Sequence, residues 1–162
     1  MIVQYYKPNS KNTGCAVSFD IGPNQKNKEP CVFVRAIKQF SWNQDRRTGS
    51  FSENSKNPEK SISLKINEIE VGGLINSISN YCEFSAFHSY QENKTAISFK
   101  PYSKKDGTKA FSFSINRNSA NKFGIGVEMS EAYSLLEFLK LYLQELYLHR
   151  LQKAKELRSS KD

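Results

Sequence analysis

The sequence has few of the residues on which metal, redox and disulfide chemistry depend. Its 162 residues include three cysteines and two histidines. Cys15, Cys31 and Cys82 are too widely spaced for a CxxC motif. We therefore expect free thiols in a reducing compartment, with no metal site and no cofactor.

Long apolar runs are also missing. No stretch reaches the roughly 18 to 20 consecutive apolar residues that a membrane span requires. The first ten residues, MIVQYYKPNS, lack the basic-then-apolar order of a signal peptide. The composition, rich in Asn, Lys and Ser, suits an AT-rich bacterial or phage genome. We expect a protein with no membrane contact, located in the cytoplasm of a bacterial or phage-infected cell or associated with the nucleoid.

Motifs typical of enzymes are absent as well. The strings GxxxxGK[ST], GxGxxG, HExxH and GxSxG do not occur. The one similar string, FGIG at residues 123–126, lies within a strand pattern, where a bulge or a close backbone approach explains two glycines. The sequence therefore predicts a non-catalytic protein.

Alternating apolar and polar residues mark strands in the first half, because successive side chains of a strand point to opposite faces. The predicted strands are residues 2–7, 14–21, 31–43 and 60–66. A turn at Arg46 and Arg47 would lead into a short return strand that begins at Phe51. The polar stretches 22–30 and 52–60 are predicted to be surface loops.

The strand at 60–66 runs directly into a predicted helix over residues 67–82. Asn67 can cap this helix, and Glu70 follows at the spacing of a capping box. Its expected buried face consists of Ile69, Leu74, Ile75 and Ile78. Gly72 and Gly73 each cost a helix about 1 kcal/mol relative to alanine. Their presence predicts either a weak helix or a close approach to a sheet.

The second half follows the same plan. Its predicted strands are residues 84–90, 94–102, 109–117 and 122–128. The Asp106-Gly107 pair is a strong hairpin signal. A long helix is predicted from Ser130, and its apolar stripe consists of Leu135, Leu136, Leu139, Leu143 and Leu146.

This order of elements predicts an α+β fold with two ββββα repeats. Each repeat would form an antiparallel sheet that is backed by one helix and has its other face open. We expect one domain made of two half-repeats, residues 1–81 and 82–158.

Acidic residues are too few to balance the basic ones: the sequence has 24 Lys and Arg, 16 Asp and Glu, and a net charge of +8. The excess lies on the strand-rich segments, because residues 1–66 carry 11 basic and 5 acidic side chains and residues 83–128 carry 7 and 4. Residues 67–82 carry no basic and two acidic side chains. Positive surfaces attract polyanions and release their counterions.

Aromatic and basic residues are interleaved on the predicted strands. Unpaired bases stack on aromatic rings, while Lys and Arg bind the phosphates. We therefore expect nucleic-acid-binding residues here, with His88 and Tyr90 on an undecided face and Trp42 serving either as a core anchor or as a stacking platform. The candidates are Phe33, Arg35, Trp42, Arg46, Arg47, Lys65, His88, Tyr90, Lys94, Lys100, Tyr102, Lys104, Lys105 and Lys109.

Two segments show the order of elements most clearly. They are KSISLKINEIEVGGLINSI at residues 60–78, and the hairpins of residues 83–128 that lead into SEAYSLLEFLKLYLQEL at 130–146. In this order the chain resembles the Whirly/PC4-like superfamily of single-stranded-DNA-binding proteins, which includes PUR-related members. The resemblance implies sequence-tolerant binding of single strands along the sheets, with helices in the core or in a subunit interface. The KGKAAL segment of plant Whirly proteins is absent.

We therefore expect a homo-oligomeric protein that binds single-stranded DNA in replication, recombination or transcription. RNA is the alternative ligand. A structural or assembly protein that dimerises through its C-terminal helix is the alternative from another class. An OB-fold is the rival architecture, and the strand-to-helix transitions near residues 67 and 130 argue against its five-stranded barrel.

Overall fold

The computed structural model describes residues 1–159 and shows an α+β fold with antiparallel sheets and two helices in this part of the chain. The helices are α1 (Glu68–Asn80) and α2 (Met129–Ser159). The strands are β1 (Ile2–Lys7), β2 (Cys15–Pro23), β3 (Pro30–Lys38), β4 (Ser41–Asn43), β5 (Thr48–Ser50), β6 (Ser61–Ile66), β7 (Phe84–Tyr90), β8 (Asn93–Ser103), β9 (Lys109–Arg117) and β10 (Asn121–Glu128).

Two sheets have four strands each. The first has the order β1-β2-β3-β6 and is followed in the chain by α1. The second has the order β10-β9-β8-β7 and is followed by α2. Strands β4 and β5 pair only with each other, as a short hairpin inserted before β6. No helix within residues 1–159 is both long and apolar enough to cross a membrane.

One hydrophobic core is shared by the two large sheets and both helices. The sheets meet at Phe19 of β2 and Phe113 of β9, whose ring centroids lie 5.4 Å apart. Leu135 and Leu139 of α2 are fully buried in the same core. The apolar stripe predicted for α2 is therefore confirmed as a core surface, with Leu143 partly buried at its margin.

The first turn of α1 has the predicted capping box. The Asn67 side chain accepts a hydrogen bond from the Glu70 N–H, and the Glu70 carboxylate accepts one from the Asn67 N–H. The close-approach prediction holds for Gly73, because a Cβ there would lie 2.5 Å from the Phe84 ring. A Cβ at position 72 would meet no atom within 4 Å, so the close-approach prediction does not hold for Gly72.

The prediction that Ile69 lies on the buried face of α1 is wrong. Ile69 is 78% exposed, and Val71 is fully buried instead. Val71, Leu74 and Ile78 are spaced by three and four residues, which places them on one side of a helix. A residue two positions before Val71 lies about 200° around the helix, on the opposite side.

The predicted long strand 31–43 is interrupted. Strand β3 ends at Lys38, and the buried Gln39 turns its amide toward neighbouring backbone groups. Its Oε1 accepts hydrogen bonds from the N–H groups of Asn9 and Gly14, and its Nε2 donates to the Ser41 carbonyl. The return strand is β5, which ends one residue before Phe51. These non-local hydrogen bonds leave no signal in the local alternation.

Candidate nucleic-acid interface

The outer face of the second sheet is exposed. Along β8, the buried Thr95, Ile97 and Phe99 alternate with more exposed residues, as strand parity predicts. We use the term open face for the outward residues of this sheet. They are Ser85, Phe87, Ser89, Lys94, Ala96, Ser98, Lys100, Tyr102, Ser112, Ser114, Lys122, Gly124 and Gly126.

Small side chains give the open face a shallow floor. Ser112 and Ser114 of β9 lie beside Gly126 and Gly124 of β10, to which they are directly paired. Together with Tyr102 they border a concavity of about 490 Å³. A flat ligand can therefore approach the backbone of these two strands closely.

Tyr102 reaches across the sheet. A Cβ at position 126 would lie 3.1 Å from the Tyr102 hydroxyl oxygen, so the side chain extends from β8 past β9 to β10. Glycine at position 126 leaves room for it. The ring is 39% exposed and provides an aromatic surface beside the small-residue floor.

Three exposed lysines lie on the open face: Lys100 of β8 and Lys122 of β10 near this floor, and Lys94 at the far end of β8. Lys94 and Lys122 form no ion pair within residues 1–159. Lys100 lies 2.8 Å from Glu83, but both side chains are more than half exposed, and such pairs contribute little. A phosphate can compete for this lysine.

The turn between β8 and β9 brings further cations to one end of the open face. Lys104 Nζ lies 2.5 Å from a Glu128 carboxylate oxygen. Hydrogen bonding to that carboxylate raises the pKa of Lys104. Lys105 is exposed in the same turn. Of the two lysines in this turn, Lys105 is therefore better placed than Lys104 to bind a ligand.

A second groove lies where the two sheets meet. Lys38 donates a hydrogen bond to Asn121, and Asn121 donates one to the Glu59 carbonyl. The groove has a volume of about 310 Å³, and Lys38, Lys60 and Lys122 all line it. We call it the junction groove. Lys122 and Gly124 line both this groove and the floor of the open face, so the two concavities are adjacent.

Other candidates lie on the first sheet. Phe33 is directly opposite Lys65 across strands β3 and β6, and Arg35 is exposed two residues further along, so the predicted parity is confirmed. One Arg35 nitrogen donates to the Ser55 carbonyl at 2.7 Å. These three residues belong to the outer face of the other sheet, separate from the open face.

The β4–β5 hairpin carries three more candidates. Trp42 is half-buried, and its ring N–H donates to the Gln44 side chain at 2.8 Å. Arg46 and Arg47 are exposed at the tip, where Arg47 has a positive φ of 51°. The hairpin is thus a basic projection of the first half.

The structure places His88 and Lys109 away from the open face. His88 Nε2 lies 2.6 Å from Glu70 Oε1, so its ring faces α1. Lys109 Nζ lies 4.9 Å from the centroid of the Tyr81 ring and has the strand parity of the buried Phe111. Tyr90 is exposed at the end of β7. Local alternation could not place His88, because Ala86 and Phe87 suggest opposite faces.

The residues near these surfaces that were not among the candidates include Phe87, Lys38, Lys60 and Lys122. Phe87 is 63% exposed on the open face, and Lys122 borders its floor. Strand parity gave a signal for Lys122, which precedes the buried Phe123, but not for Phe87, because β7 has apolar residues on both faces. Lys60 had no such signal, because its position in the junction groove depends on how the sheets pack.

Burial raises the pKa of the Cys15 and Cys31 thiols, which keeps them protonated at neutral pH. Within residues 1–159, no group of three or more His, Cys, Asp and Glu side chains could hold a metal ion. The open face and the junction groove instead offer cations, hydroxyl groups and aromatic rings, which are groups suited to binding an anionic, ring-bearing ligand.

Comparisons with family models, with curated proteins and with solved structures found no match. Function is therefore inferred from the chemistry of these surfaces and from the order of the elements that carry them.

Proposed function

We propose that this protein binds single-stranded DNA across the open face and the junction groove. The observation that carries the proposal is the position of Tyr102, whose ring crosses the sheet beside a floor of serine and glycine. Lys100 and Lys122 lie on the same face near this floor, and Lys94 lies on that face at the other end of β8. Bases can stack on the ring while the lysines contact phosphates, as in other single-strand binders.

The polar groups on the floor favour binding without sequence preference. The hydroxyl groups of Ser112 and Ser114 can each rotate and act as either donor or acceptor. They can therefore meet the edge of any base. Fixed bidentate contacts, which discriminate between bases, require groups such as Asn, Gln or Arg in set positions.

The length of the open face suits a strand of several nucleotides. Lys94 and Tyr102 are eight residues apart on β8, which corresponds to about 27 Å at 3.4 Å per residue. The adjacent junction groove, which Lys60 lines, would extend this path. A strand following it would pass from one sheet toward the other.

The order of elements supports a Whirly-like interpretation. Residues 1–81 and 82–158 each contain a four-stranded antiparallel sheet followed by a helix, and we interpret them as two ββββα half-repeats of one domain. In that interpretation the β4–β5 hairpin is an insertion in the first half. The corresponding role is non-catalytic protection or presentation of single strands in replication, recombination or transcription.

Competition between nucleic acids tests the proposal. A labelled oligothymidylate should be displaced at least tenfold more readily by unlabelled single-stranded DNA than by a duplex of the same length. Equal competition by the duplex would contradict it. A matched RNA strand provides the third competitor, because the 2′-hydroxyl is its main backbone difference. Stronger competition by RNA would assign RNA as the ligand.

Replacing Tyr102 by alanine should weaken oligothymidylate binding about 5- to 150-fold, because removing a stacking ring costs about 1 to 3 kcal/mol. Fluorescence anisotropy with a labelled oligonucleotide measures the change. Tyr102→Phe is the matched control, since it keeps the ring and should bind within about threefold of the parent chain. An affinity unchanged in Tyr102→Ala would exclude stacking on this ring.

We also propose that two copies associate through the end of α2. Tyr147, Leu148 and Leu151 are each more than half exposed, and the helix continues to Ser159 with exposed residues only. Exposed apolar side chains grouped on one stretch of surface are typical of protein–protein contacts. Antiparallel pairing of two copies about Leu148 would cover these side chains. It would also bring Lys140 of one copy near Glu156 of the other, which are oppositely charged.

Replacing Leu148 and Leu151 together by glutamate should convert the dimer to a monomer, because four like charges would then meet in the apolar seam. Sedimentation velocity measures the mass. The double variant Gln152→Glu with Lys153→Gln gives the same change in net charge and should remain dimeric. A parent chain that is monomeric at high concentration would contradict the association.

A further inference from the structure

A separate concave site lies on the outer face of the first sheet. It is bordered by β1, β2 and β3 on one side and by β5 and the segment that follows it on the other. Its volume is about 330 Å³, which lies within the range of small-molecule sites. We call it the hairpin pocket. It shares no lining residue with the open face or the junction groove.

The wall of the hairpin pocket is held firmly. The Phe40 N–H donates to the Ser50 carbonyl, and the Asn54 amide donates to the carbonyls of Lys38 and Gln39. A Cβ at position 49 would lie 2.5 Å from Pro8 Cβ. The hairpin therefore fits closely against the loop between β1 and β2, which contains Pro8. The pocket is therefore part of the packed structure.

Aromatic and aliphatic groups form the interior of the pocket. Phe51 is buried, and its ring centroid lies 5.8 Å from that of Tyr6 at an interplanar angle of 56°. Ala16 and Ile37 contribute aliphatic surface. The exposed Tyr6 ring stands at the rim. A flat ring can enter here and contact both aromatic side chains.

Polar groups lie beside this apolar interior. The Gln4 amide is positioned by a hydrogen bond from the Tyr6 hydroxyl at 2.9 Å, and the Ser18 hydroxyl lies on the neighbouring strand. Arg35 supplies a positive charge and forms no ion pair within residues 1–159. Its guanidinium has five N–H donors, of which one group is engaged by the Ser55 carbonyl.

We propose that the hairpin pocket binds one nucleotide. The base contacts Tyr6 and Phe51, its polar edge meets Gln4 and Ser18, and its phosphate pairs with Arg35. A purely apolar ligand would not use the remaining hydrogen-bonding capacity of Gln4, Ser18 and Arg35, whereas a nucleotide can use it. The inference rests on the proposed function in so far as the nucleotide belongs to a bound strand; a free nucleoside monophosphate has the same chemistry.

Titration with thymidine monophosphate and adenosine monophosphate tests the pocket directly. Amide NMR signals of Tyr6, Ser18 and Ile37 should shift, and unphosphorylated thymidine should bind more weakly. Arg35→Gln should weaken the monophosphate at least about tenfold, since hydrogen bonds to a charged group contribute about 1.5 to 3 kcal/mol. Absence of shifts with millimolar monophosphate would overturn the proposal, even if oligonucleotides bind.

A substitution that fills the pocket with a larger side chain provides the second test. Ser18→Phe should abolish the monophosphate shifts, whereas Ser134→Phe, an equal change at an exposed position of α2, should leave them intact. Dispersed amide spectra establish that both variants fold. Shifts that persist in Ser18→Phe would overturn the proposal. If Ser18→Phe is unfolded, loss of the shifts in folded Arg35→Gln supports it and their retention overturns it.

Oligothymidylate distinguishes the two sources of the nucleotide. If the strand shifts both the pocket and open-face amides, the nucleotide comes from the strand. If only the monophosphate shifts the pocket amides, the ligand is the free nucleotide and the pocket proposal still holds. If the strand shifts only open-face amides and the monophosphate shifts none, the pocket proposal fails and the proposed function stands. If the monophosphate shifts the pocket amides but no oligonucleotide binds, the pocket proposal holds and the proposed function fails.

Discussion

Replacing Lys94, Lys100 and Lys122 together by glutamine should weaken oligothymidylate binding roughly fiftyfold at 0.15 M salt. Each phosphate contact on a single strand contributes about 0.7 to the slope of log affinity against log salt concentration. Removing three contacts should therefore reduce that slope by about 2. Anisotropy titrations at several salt concentrations measure both quantities on the same samples.

The matched control replaces three exposed lysines elsewhere by glutamine: Lys26, Lys28 and Lys153. Both variants lose the same net charge, but the control residues lie outside the open face and the junction groove. The control should therefore keep most of its affinity and slope. Equal losses in the two variants would mean that net charge alone attracts the strand, which would contradict a defined binding face.

Replacing Phe113 by alanine should lower the free energy of unfolding by about 3 to 5 kcal/mol, the usual cost of removing a buried phenylalanine ring. For a chain of this size, the melting temperature should fall by about 6 to 20 °C. Phe113 is 1% exposed, and its ring lies 5.4 Å from Phe19 and 6.1 Å from Phe99. It therefore connects the two sheets within the shared core.

Two probes can follow this unfolding in different parts of the chain. Trp42, the only tryptophan, lies in the β4–β5 hairpin of the first half, whereas circular dichroism reports on all strands and helices. Both transitions should shift together in Phe113→Ala, because one core serves both sheets. Phe87→Ala removes the same ring from an exposed position and should have little effect. An unchanged Trp42 transition in Phe113→Ala would indicate independent halves.

Where the pattern was clean, the sequence predicted the elements closely. The strands predicted at 84–90 and 109–117 match β7 and β9 residue for residue. The alternation of β9 is regular, and the turn with Asp106 and Gly107 separates β8 from β9, with Gly107 at a φ of +82°. The errors at Ile69 and at Gln39 have different causes. Ile69 lies outside the helical spacing of Val71, Leu74 and Ile78, whereas the position of Gln39 is decided by hydrogen bonds to distant residues that local periodicity does not contain.

The candidate site, like the fold, could be predicted only in part. Parity on a single strand was enough to place Lys94, Lys100 and Tyr102 on one exposed face. The junction groove could not be predicted, because Lys38, Lys60 and Lys122 come from three separate segments that meet only when the sheets pack. His88 was likewise unpredictable, since its hydrogen bond to Glu70 joins a strand to a helix 18 residues earlier.

The salt dependence of oligothymidylate binding by the parent chain tests the central claim most directly. If unpaired DNA lies on the open face, binding should be submicromolar at low salt. Log affinity should then fall linearly with log salt concentration, with a slope of about −2 or steeper. Micromolar or weaker binding at low salt, with no dependence on salt, would contradict the claim that this surface holds a single strand.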